Sequence, residues 1–238
     1  KKIYQSNPSY HFKTPKAEIA EFLNRFPFTP TKSQQQAIKE IVADLAENKP
    51  MVRLLEGDVG SGKTLVAATS AFAVVRQQRD VAYMAPTEIL ARQHFESFIS
   101  YFGHLGISVG LLTGKECKKF PSKVNPKDST HISKSQLLKW VAGGQIPIVV
   151  GTQALIQKQV KFRDLALVII DEQHRFGITQ RAKLVRRREQ EVKKPLPHLL
   201  SMTATPIPRT LALTVYGDLD LTLLEEMPAG RLPVITEI

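Results

Sequence analysis

One run of the sequence combines spaced glycines with a lysine and a hydroxyl: Gly57, Asp58, Val59, Gly60, Ser61, Gly62, Lys63 and Thr64. Glycines let the backbone turn tightly, so that its N–H groups can point at the oxygens of a phosphate. In this spacing Lys63 would reach the β and γ phosphates, and the Thr64 hydroxyl would be a ligand of Mg²⁺. The segment therefore predicts a loop that binds a nucleoside triphosphate with Mg²⁺, rather than a glycine turn without a ligand.

An acidic pair, Asp171 and Glu172, follows the apolar run 167–170 and precedes Gln173 and His174. The carboxyl end of a buried parallel strand lies at the mouth of a sheet, where ligands bind. There Asp171 would hold Mg²⁺, usually through water, and Glu172 would position or deprotonate the water that attacks the γ-phosphate. The pair could instead be an acidic cap on the next helix. The glycine-rich loop upstream favours catalysis.

Two hydroxyl residues, Thr203 and Thr205, stand at the end of a further apolar run, directly before Pro206. Hydroxyls at a strand end could connect a nucleotide site to another part of the molecule by hydrogen bonds. A threonine directly before a helix is also a common N-cap, which satisfies a free backbone N–H. Taken alone, this segment favours the helix cap.

Short apolar runs alternate with helical patterns along the chain. The runs are 51–55, 81–85, 109–112, 146–150, 166–170 and 199–202, and the helical patterns are 17–25, 33–45, 63–78, 88–102, 134–142, 179–189 and 209–216. Such alternation predicts an α/β fold with a mostly parallel sheet and helices on both faces. Continuous apolar runs are typical of strands that are covered on both sides. The polar, lysine-rich stretch 115–130 predicts a surface loop or insertion.

The bulk composition fits a soluble globular protein with a basic surface. The chain has 238 residues, of which 42% are hydrophobic and 23% charged, and its formal net charge is +11. That charge suits a polyanion partner, but a lysine-rich surface without a partner is equally open. The basic cluster 181–194 is likewise either a solvated helix face or a DNA contact. With one cysteine, Cys117, no internal disulfide can form, and no apolar run approaches the roughly 20 residues of a membrane span.

Taken together, these motifs resemble those of superfamily 2 helicases. The runs 171–177, 202–213 and 217–220, together with 57–64, closely resemble the RecG-type branch-migrating DNA helicases over about residues 25–235. The resemblance implies a RecA-like P-loop NTPase domain, the first of two motor domains. It implies ATP and Mg²⁺ as cofactors and branched DNA, such as replication forks and Holliday junctions, as the partner. A bacterial cytosolic location would follow.

The resemblance also implies roles for individual positions. Gln34 would read the edge of adenine. The DNA backbone would be contacted by residues at strand-to-helix turns, namely Pro86, Thr87, Arg92, Gln93, Thr113, Gly114, Gly151, Thr152 and Gln153. Hydroxyls and helix N-terminal amides suit a phosphate, which makes such contact blind to base sequence. ATP hydrolysis would be coupled to motion through Gln173, His174, Thr203 and Thr205, with His174 also lying at the ATP site. At each turn the alternative is a plain structural turn.

The resemblance implies a division of the chain as well. Residues 1–26 would lead in from an N-terminal wedge domain, 27–229 would form the first motor domain, and 230–238 would begin the second. The arginine-bearing second motor domain does not occur in this sequence, so we expect the chain alone to hydrolyse ATP very slowly. The sequence departs from the usual pattern in the longer stretch 115–130, and in Gln153, where many members have histidine.

Three other interpretations fit parts of the sequence. A transcription-repair coupling translocase has closely related motifs, although it typically shows D-E-E-Q where this chain has Asp171-Glu172-Gln173-His174. A nucleotide-gated binding module would not need Glu172, the residue that positions water. A small P-loop kinase would need a lid and an acceptor site, and the basic charge does not suit it.

Overall fold

The computed structural model describes residues 8–172, 195–205 and 219–226, and every structural statement below concerns these residues. Several predictions fall outside them: the helices 179–189 and 209–216, the basic cluster 181–194, the roles of Gln173 and His174, and the segment 230–238.

The described residues form a mostly parallel sheet, as predicted. Its strands are β1 (Val52–Gly57), β2 (Asp80–Met84), β3 (Val109–Leu112), β4 (Cys117–Phe120), β5 (Thr130–His131), β6 (Ile148–Gly151), β7 (Leu165–Ile170), β8 (His198–Thr203) and β9 (Asp220–Leu224). Their order is β5-β4-β3-β6-β2-β7-β8-β1-β9. All neighbours pair in parallel except β3 with β4 and β4 with β5. The parallel strands therefore end at one common edge, which we call the carboxyl edge.

Both faces of the central part of the sheet are buried, which explains why its central strands are continuous apolar runs. In β2, Val81 and Tyr83 belong to one hydrophobic cluster, whereas Ala82 and Met84 belong to the other. The first cluster is covered by α1 (Lys16–Leu23), α2 (Lys32–Leu45), α3 (Lys63–Val75) and α4 (Glu88–Phe102). The second is covered by α5 (Lys134–Ala142) and the 3₁₀ turn Gln153–Ile156. Among the described helices, none has the length and apolar character needed to cross a bilayer.

The stretch 115–130, which the sequence predicts to be a surface loop or insertion, is a loop only in part: β4 and the start of β5 lie within it, and residues 121–129 form the loop between them. The two strands form an antiparallel hairpin that extends the sheet beyond β3. Phe120 anchors the hairpin in the core, and the ammonium groups of Lys119 and Lys123 lie 5.5 and 5.9 Å from the ring centre of Trp140. The sequence did not reveal these strands because β4 carries Lys118 and Lys119; charged side chains, especially lysines, are common near the edge of a sheet.

Strand β9 was not predicted and is held at the other edge by a buried arginine. Arg53 of β1 is 9% exposed. Its guanidinium donates to Asp44 at 2.8 Å, to Glu40 at 3.1 Å and to Thr222 of β9 at 2.5 Å. The Thr222 hydroxyl in turn donates to Glu40 at 2.7 Å. This network ties β9 to β1 and α2.

The N-terminal segment that was predicted as a lead-in packs against the body of the domain. The N–H of Phe12 donates to the carbonyl of Leu45, and Phe12 itself is 2% exposed. Phe22 of α1 stacks on Phe72 of α3 with ring centres 4.4 Å apart. The described part of this segment therefore contributes to the core. Its connection to a wedge domain stays a prediction.

Candidate nucleotide site and its neighbouring contacts

The glycine-rich loop joins β1 to α3, as the sequence predicts. Gly62 has a φ of 86°, which L side chains rarely adopt, and a Cβ at this position would collide with the amide of Gln34. Within the described part of the chain, no side chain caps the N-terminus of α3, and the buried hydroxyl of Ser61 has no hydrogen-bond partner. An uncapped helix start with an unpaired buried hydroxyl is suited to an anion. These observations fit the triphosphate that the sequence predicts.

Lys63 folds back over the loop. Its ammonium donates to the carbonyl of Gly57 at 2.6 Å and to that of Asp58 at 2.9 Å. Burial lowers the pKa of Lys63, while the negative charges of Glu172 and Asp171 oppose that shift. The lysine therefore lies in the field of the acidic pair, and its ammonium is bonded to two carbonyls of the loop.

Gln34 connects α2 to the glycine-rich loop. Its side chain is 1% exposed. The amide oxygen accepts from the N–H of Thr31 at 2.9 Å, and the amide nitrogen donates to the carbonyl of Ser61 at 2.8 Å. Thr31 completes a capping box by accepting from the Gln34 N–H. In this structure both ends of the amide bind protein, so the prediction that Gln34 reads adenine stays a prediction.

The acidic pair lies at the end of β7, two strands from the glycine-rich loop. Asp171 is 8% exposed. One of its oxygens accepts from the N–H of Glu172 at 3.1 Å, and the other is 2.8 Å from Nε2 of His94 in α4. The sequence analysis did not predict His94. The signal available was a polar residue between Ala91 and Phe98 on the buried side of an amphipathic helix.

Strand β8 separates β7 from β1, and its end contacts the acidic pair. A carboxylate oxygen of Glu172 accepts from the N–H of Ala204 at 3.4 Å. The hydroxyls of Thr203 and Thr205 are 2.9 Å apart, and the N–H of Thr205 donates to the Thr203 hydroxyl. Glu172 also has a φ of 50°, a left-handed conformation that is costly for a residue with a side chain. The arrangement brings the predicted water-positioning residue and the predicted coupling threonines together.

The residues predicted to contact DNA cluster at the ends of β2, β3 and β6, which are neighbours at the carboxyl edge. Three of them are threonines whose hydroxyls accept hydrogen bonds from backbone N–H groups of the same turn. Thr87 accepts from Leu90 at the start of α4, Thr113 accepts from the N–H groups of residues 115 and 116, and Thr152 accepts from Ala154. Thr113 is only 3% exposed. These contacts support the turns, and binding to DNA stays a prediction.

Pro86, Gly114, Gly151 and Gln153 lie at the same strand ends, whereas Gln93 lies within α4. At one of these positions the structure requires a glycine. A side chain at Gly151 would collide with the backbone of β3. Gly151 therefore has a packing role whether or not it meets DNA.

Arg92, also predicted to contact DNA, is paired with an acidic residue at the base of the β4–β5 hairpin. Its guanidinium contacts Glu116, and Lys118 lies 3.4 Å from the same carboxylate. Burial opposes ionisation of Glu116, but Arg92 and Lys118 outweigh it and hold the pKa of this carboxyl below its usual value. Glu116, which directly precedes β4, thus places a negative charge beside a predicted DNA contact.

Comparison with known proteins agrees with this geometry. Residues 31–214 match the model of the DEAD/DEAH box helicase family. The chain is 46% identical over 231 residues to the ATP-dependent DNA helicase RecG of Aquifex aeolicus, covering 95% of this chain and 27% of that protein. It is 50% identical over 215 residues to RecG of Pasteurella multocida, covering 90% of this chain and 29% of that one.

Comparison with solved structures also finds helicases. A structure of RecG bound to a three-way DNA junction superposes with a TM-score of 0.78 and 37% identity, covering 98% of this chain and 29% of that one. The helicase MrfA bound to DNA and AMPPNP shares the fold alone, with a TM-score of 0.65 and 17% identity over 94% of this chain and 32% of that one. The chain thus spans less than a third of its relatives' length. It belongs to the DEAD/DEAH box helicase family, and within that family its sequence groups with the RecG-type DNA helicases.

Proposed function

We propose that this chain is the first motor domain of a RecG-type helicase, which couples ATP hydrolysis to movement on branched DNA. The observation that carries the proposal is the grouping of three motifs at adjacent strand ends. The glycine-rich loop follows β1, Thr203 ends β8, and Asp171 follows β7. A phosphate loop and an acidic pair at one sheet edge are the parts that phosphoryl transfer to water needs.

The residues at this edge divide the chemistry among them. The N–H groups of the loop and the start of α3 would hold the phosphates, and Lys63 would exchange its two carbonyl contacts for phosphate oxygens. Thr64 and Asp171 would hold Mg²⁺, which when bound neutralises charge on the β and γ phosphates. Glu172 would orient the attacking water. Its link to the N–H of Ala204 gives this residue a direct connection to the threonines that we propose for coupling.

The proposed DNA surface is the other half of the same edge, formed by the turns after β2, β3 and β6. A relative named RecG has been solved on a three-way DNA junction, and a formal charge of +11 suits a polyanion. We propose branched DNA as the substrate, contacted mainly through its backbone. A second motor domain and an N-terminal wedge domain would be partners within the whole protein. Its relatives are bacterial, and we propose the bacterial cytosol and nucleoid as its location.

The proposal is tested by replacing Lys63. The Lys63→Ala variant should abolish ATPase activity in the whole protein and weaken binding of a fluorescent ATP analogue to this chain. Binding to a forked oligonucleotide should be unchanged, because Lys63 lies by the acidic pair and not by the turns after β2, β3 and β6.

Lys39→Ala is the matched control, because Lys39 is an exposed lysine on α2. It should leave nucleotide binding and ATPase activity as they are in the wild type. If Lys63→Ala lost DNA binding together with ATPase activity, the lysine would have a structural role. If the wild-type chain bound no nucleotide, the proposed function would fail.

A further inference from the structure

His94 joins the acidic pair to a helix that begins at the proposed DNA surface. It lies in α4, which starts directly after Thr87, and its side chain is 12% exposed. Its Nε2 is 2.8 Å from the carboxylate of Asp171, although the two residues are 77 positions apart in the sequence. The contact joins a predicted metal ligand to a helix that carries two predicted DNA contacts, Arg92 and Gln93.

The contact completes the hydrogen bonding that fixes the Asp171 carboxylate. One oxygen accepts from the N–H of Glu172, and the other lies against His94. The backbone of Asp171 is also fixed, because its N–H donates to the carbonyl of Met84 at the end of β2 at 2.8 Å. A carboxylate has about four lone-pair sites. With one used on each oxygen, lone pairs remain for a metal-bound water while the orientation of the group is set.

The imidazole of His94 is itself held in place. The hydroxyl of Tyr83, a fully buried residue of β2, lies 3.3 Å from both ring nitrogens, and the two ring centres are 4.7 Å apart. Burial raises the pKa of Tyr83 well above its ordinary value, so the phenol keeps its proton. A ring held between a buried tyrosine and a carboxylate has little freedom to rotate, as is typical of groups that orient metal ligands.

We propose that His94 is a positioning residue that holds Asp171 in the orientation required by Mg²⁺, and that it does so from a helix that begins at the proposed DNA surface. The inference rests on the proposed function, since it takes Asp171 as a metal ligand. Neutral histidine suffices for this role, because its Nε2–H can donate to the carboxylate. A displacement of α4 when DNA binds at the turn before it would therefore change the orientation of Asp171.

The test replaces the imidazole of His94 with side chains that still fill most of its volume. His94→Leu removes the hydrogen bond, whereas His94→Gln keeps an N–H donor on a side chain of similar reach. Binding of a fluorescent ATP analogue to the chain is measured over a range of Mg²⁺ concentrations and again in EDTA. We expect His94→Leu to raise the Mg²⁺ concentration for half-maximal binding by about 10–100-fold, the loss typical of residues that orient metal ligands. Affinity in EDTA should be unchanged.

His94→Gln should recover most of the Mg²⁺ dependence, and His131→Leu, which changes an exposed histidine of β5, should behave as the wild type. Equal Mg²⁺ dependence in His94→Leu and wild type would overturn the inference. So would a loss of binding in EDTA by both His94 variants, which would show a structural role. A wild-type chain that binds no nucleotide would instead refute the proposed function, so the two failures are distinguishable.

A second measurement tests the connection to α4. Mn²⁺ replaces Mg²⁺ with the ATP analogue bound, and its electron paramagnetic resonance spectrum is recorded with and without a saturating forked oligonucleotide. We expect DNA to change the spectrum of the wild type and of His94→Gln but not that of His94→Leu. A DNA-induced change of equal size in His94→Leu would refute the coupling through this residue, and no change in the wild type would do the same.

Discussion

Lowering the pH should destabilise this domain through one buried histidine, His198. Its Nδ1 accepts from the N–H of Met51 at 3.0 Å, and its Nε2 lies 2.7 Å from the carbonyl of Tyr10. The first contact requires an unprotonated Nδ1, so Nε2 carries the proton and donates to Tyr10. Burial lowers the pKa of His198 from 6.5 to about 4. Protonation would cost the Met51 contact and place a charge in the core.

The magnitude follows from proton linkage. Because the pKa is lower in the folded state, the unfolded chain binds more protons, and the stability from a neutral His198 is complete above pH 6.5. It is lost progressively as the pH falls from 6.5 to about 4. One pKa unit corresponds to about 1.36 kcal/mol. Between pH 8 and pH 5 the loss from this residue is therefore about 2 kcal/mol of unfolding free energy.

Urea unfolding at pH 8 and pH 5 measures this loss of stability. Unfolding is monitored by far-UV circular dichroism and by the fluorescence of Trp140, the only tryptophan. Other groups titrate as well, so the comparison is with His198→Gln. At pH 8 that variant should be less stable than the wild type. Between pH 8 and pH 5, however, its unfolding free energy should fall by about 2 kcal/mol less than that of the wild type. The exposed His131→Gln should lose as much as the wild type. An equal pH dependence in His198→Gln and wild type would refute the argument.

Two further predictions concern charged contacts. Arg53→Met should lower the unfolding free energy by about 3 kcal/mol, because it leaves partly buried carboxylates without their cation. Arg25→Met, at an exposed arginine, should lower the unfolding free energy by less than about 1 kcal/mol. If the two variants shifted the urea midpoint by similar amounts, the role given to Arg53 would be contradicted. Glu116→Gln should free Arg92 for DNA, tightening binding and steepening the plot of log affinity against log salt by about 0.9 for a duplex. Unchanged or weaker binding across a salt titration would show that the pair does not compete with DNA.

The features that sequence predicted well are those that depend on local chemistry. The glycine-rich loop at 57–64 was predictable because its glycines, Lys63 and Thr64 are adjacent in the chain. The central strands were predictable because strands buried on both faces must be apolar throughout, as Leu165–Ile170 is. The position of the acidic pair beside the loop then followed from the rule that parallel strands end at one edge.

The features that sequence missed depend on partners far away in the chain. Strand β9 is held by Arg53 and Thr222, which are 169 positions apart. His94 and Asp171 meet only because α4, which packs on β3 and β6, brings His94 to the residue that follows β7. Neither contact leaves a local pattern, since a polar residue on a helix and a threonine in a short strand are both ordinary. Such pairs become visible only when the fold brings them together.

Gln34 and its neighbour Ser33 connect the glycine-rich loop to the chain that follows β9. Its amide binds the carbonyl of Ser61 in the glycine-rich loop. Its neighbour Ser33 exchanges two contacts with Glu226, beyond β9: the Ser33 N–H lies 3.2 Å from the carboxylate, and the Glu226 N–H lies 3.4 Å from the Ser33 hydroxyl. The start of α2 therefore touches the phosphate loop on one side and the chain that follows β9 on the other. If phosphate binding moved the Ser61 carbonyl, Gln34 would have to follow or lose its bond, and the first turn of α2 would transmit that change to Glu226.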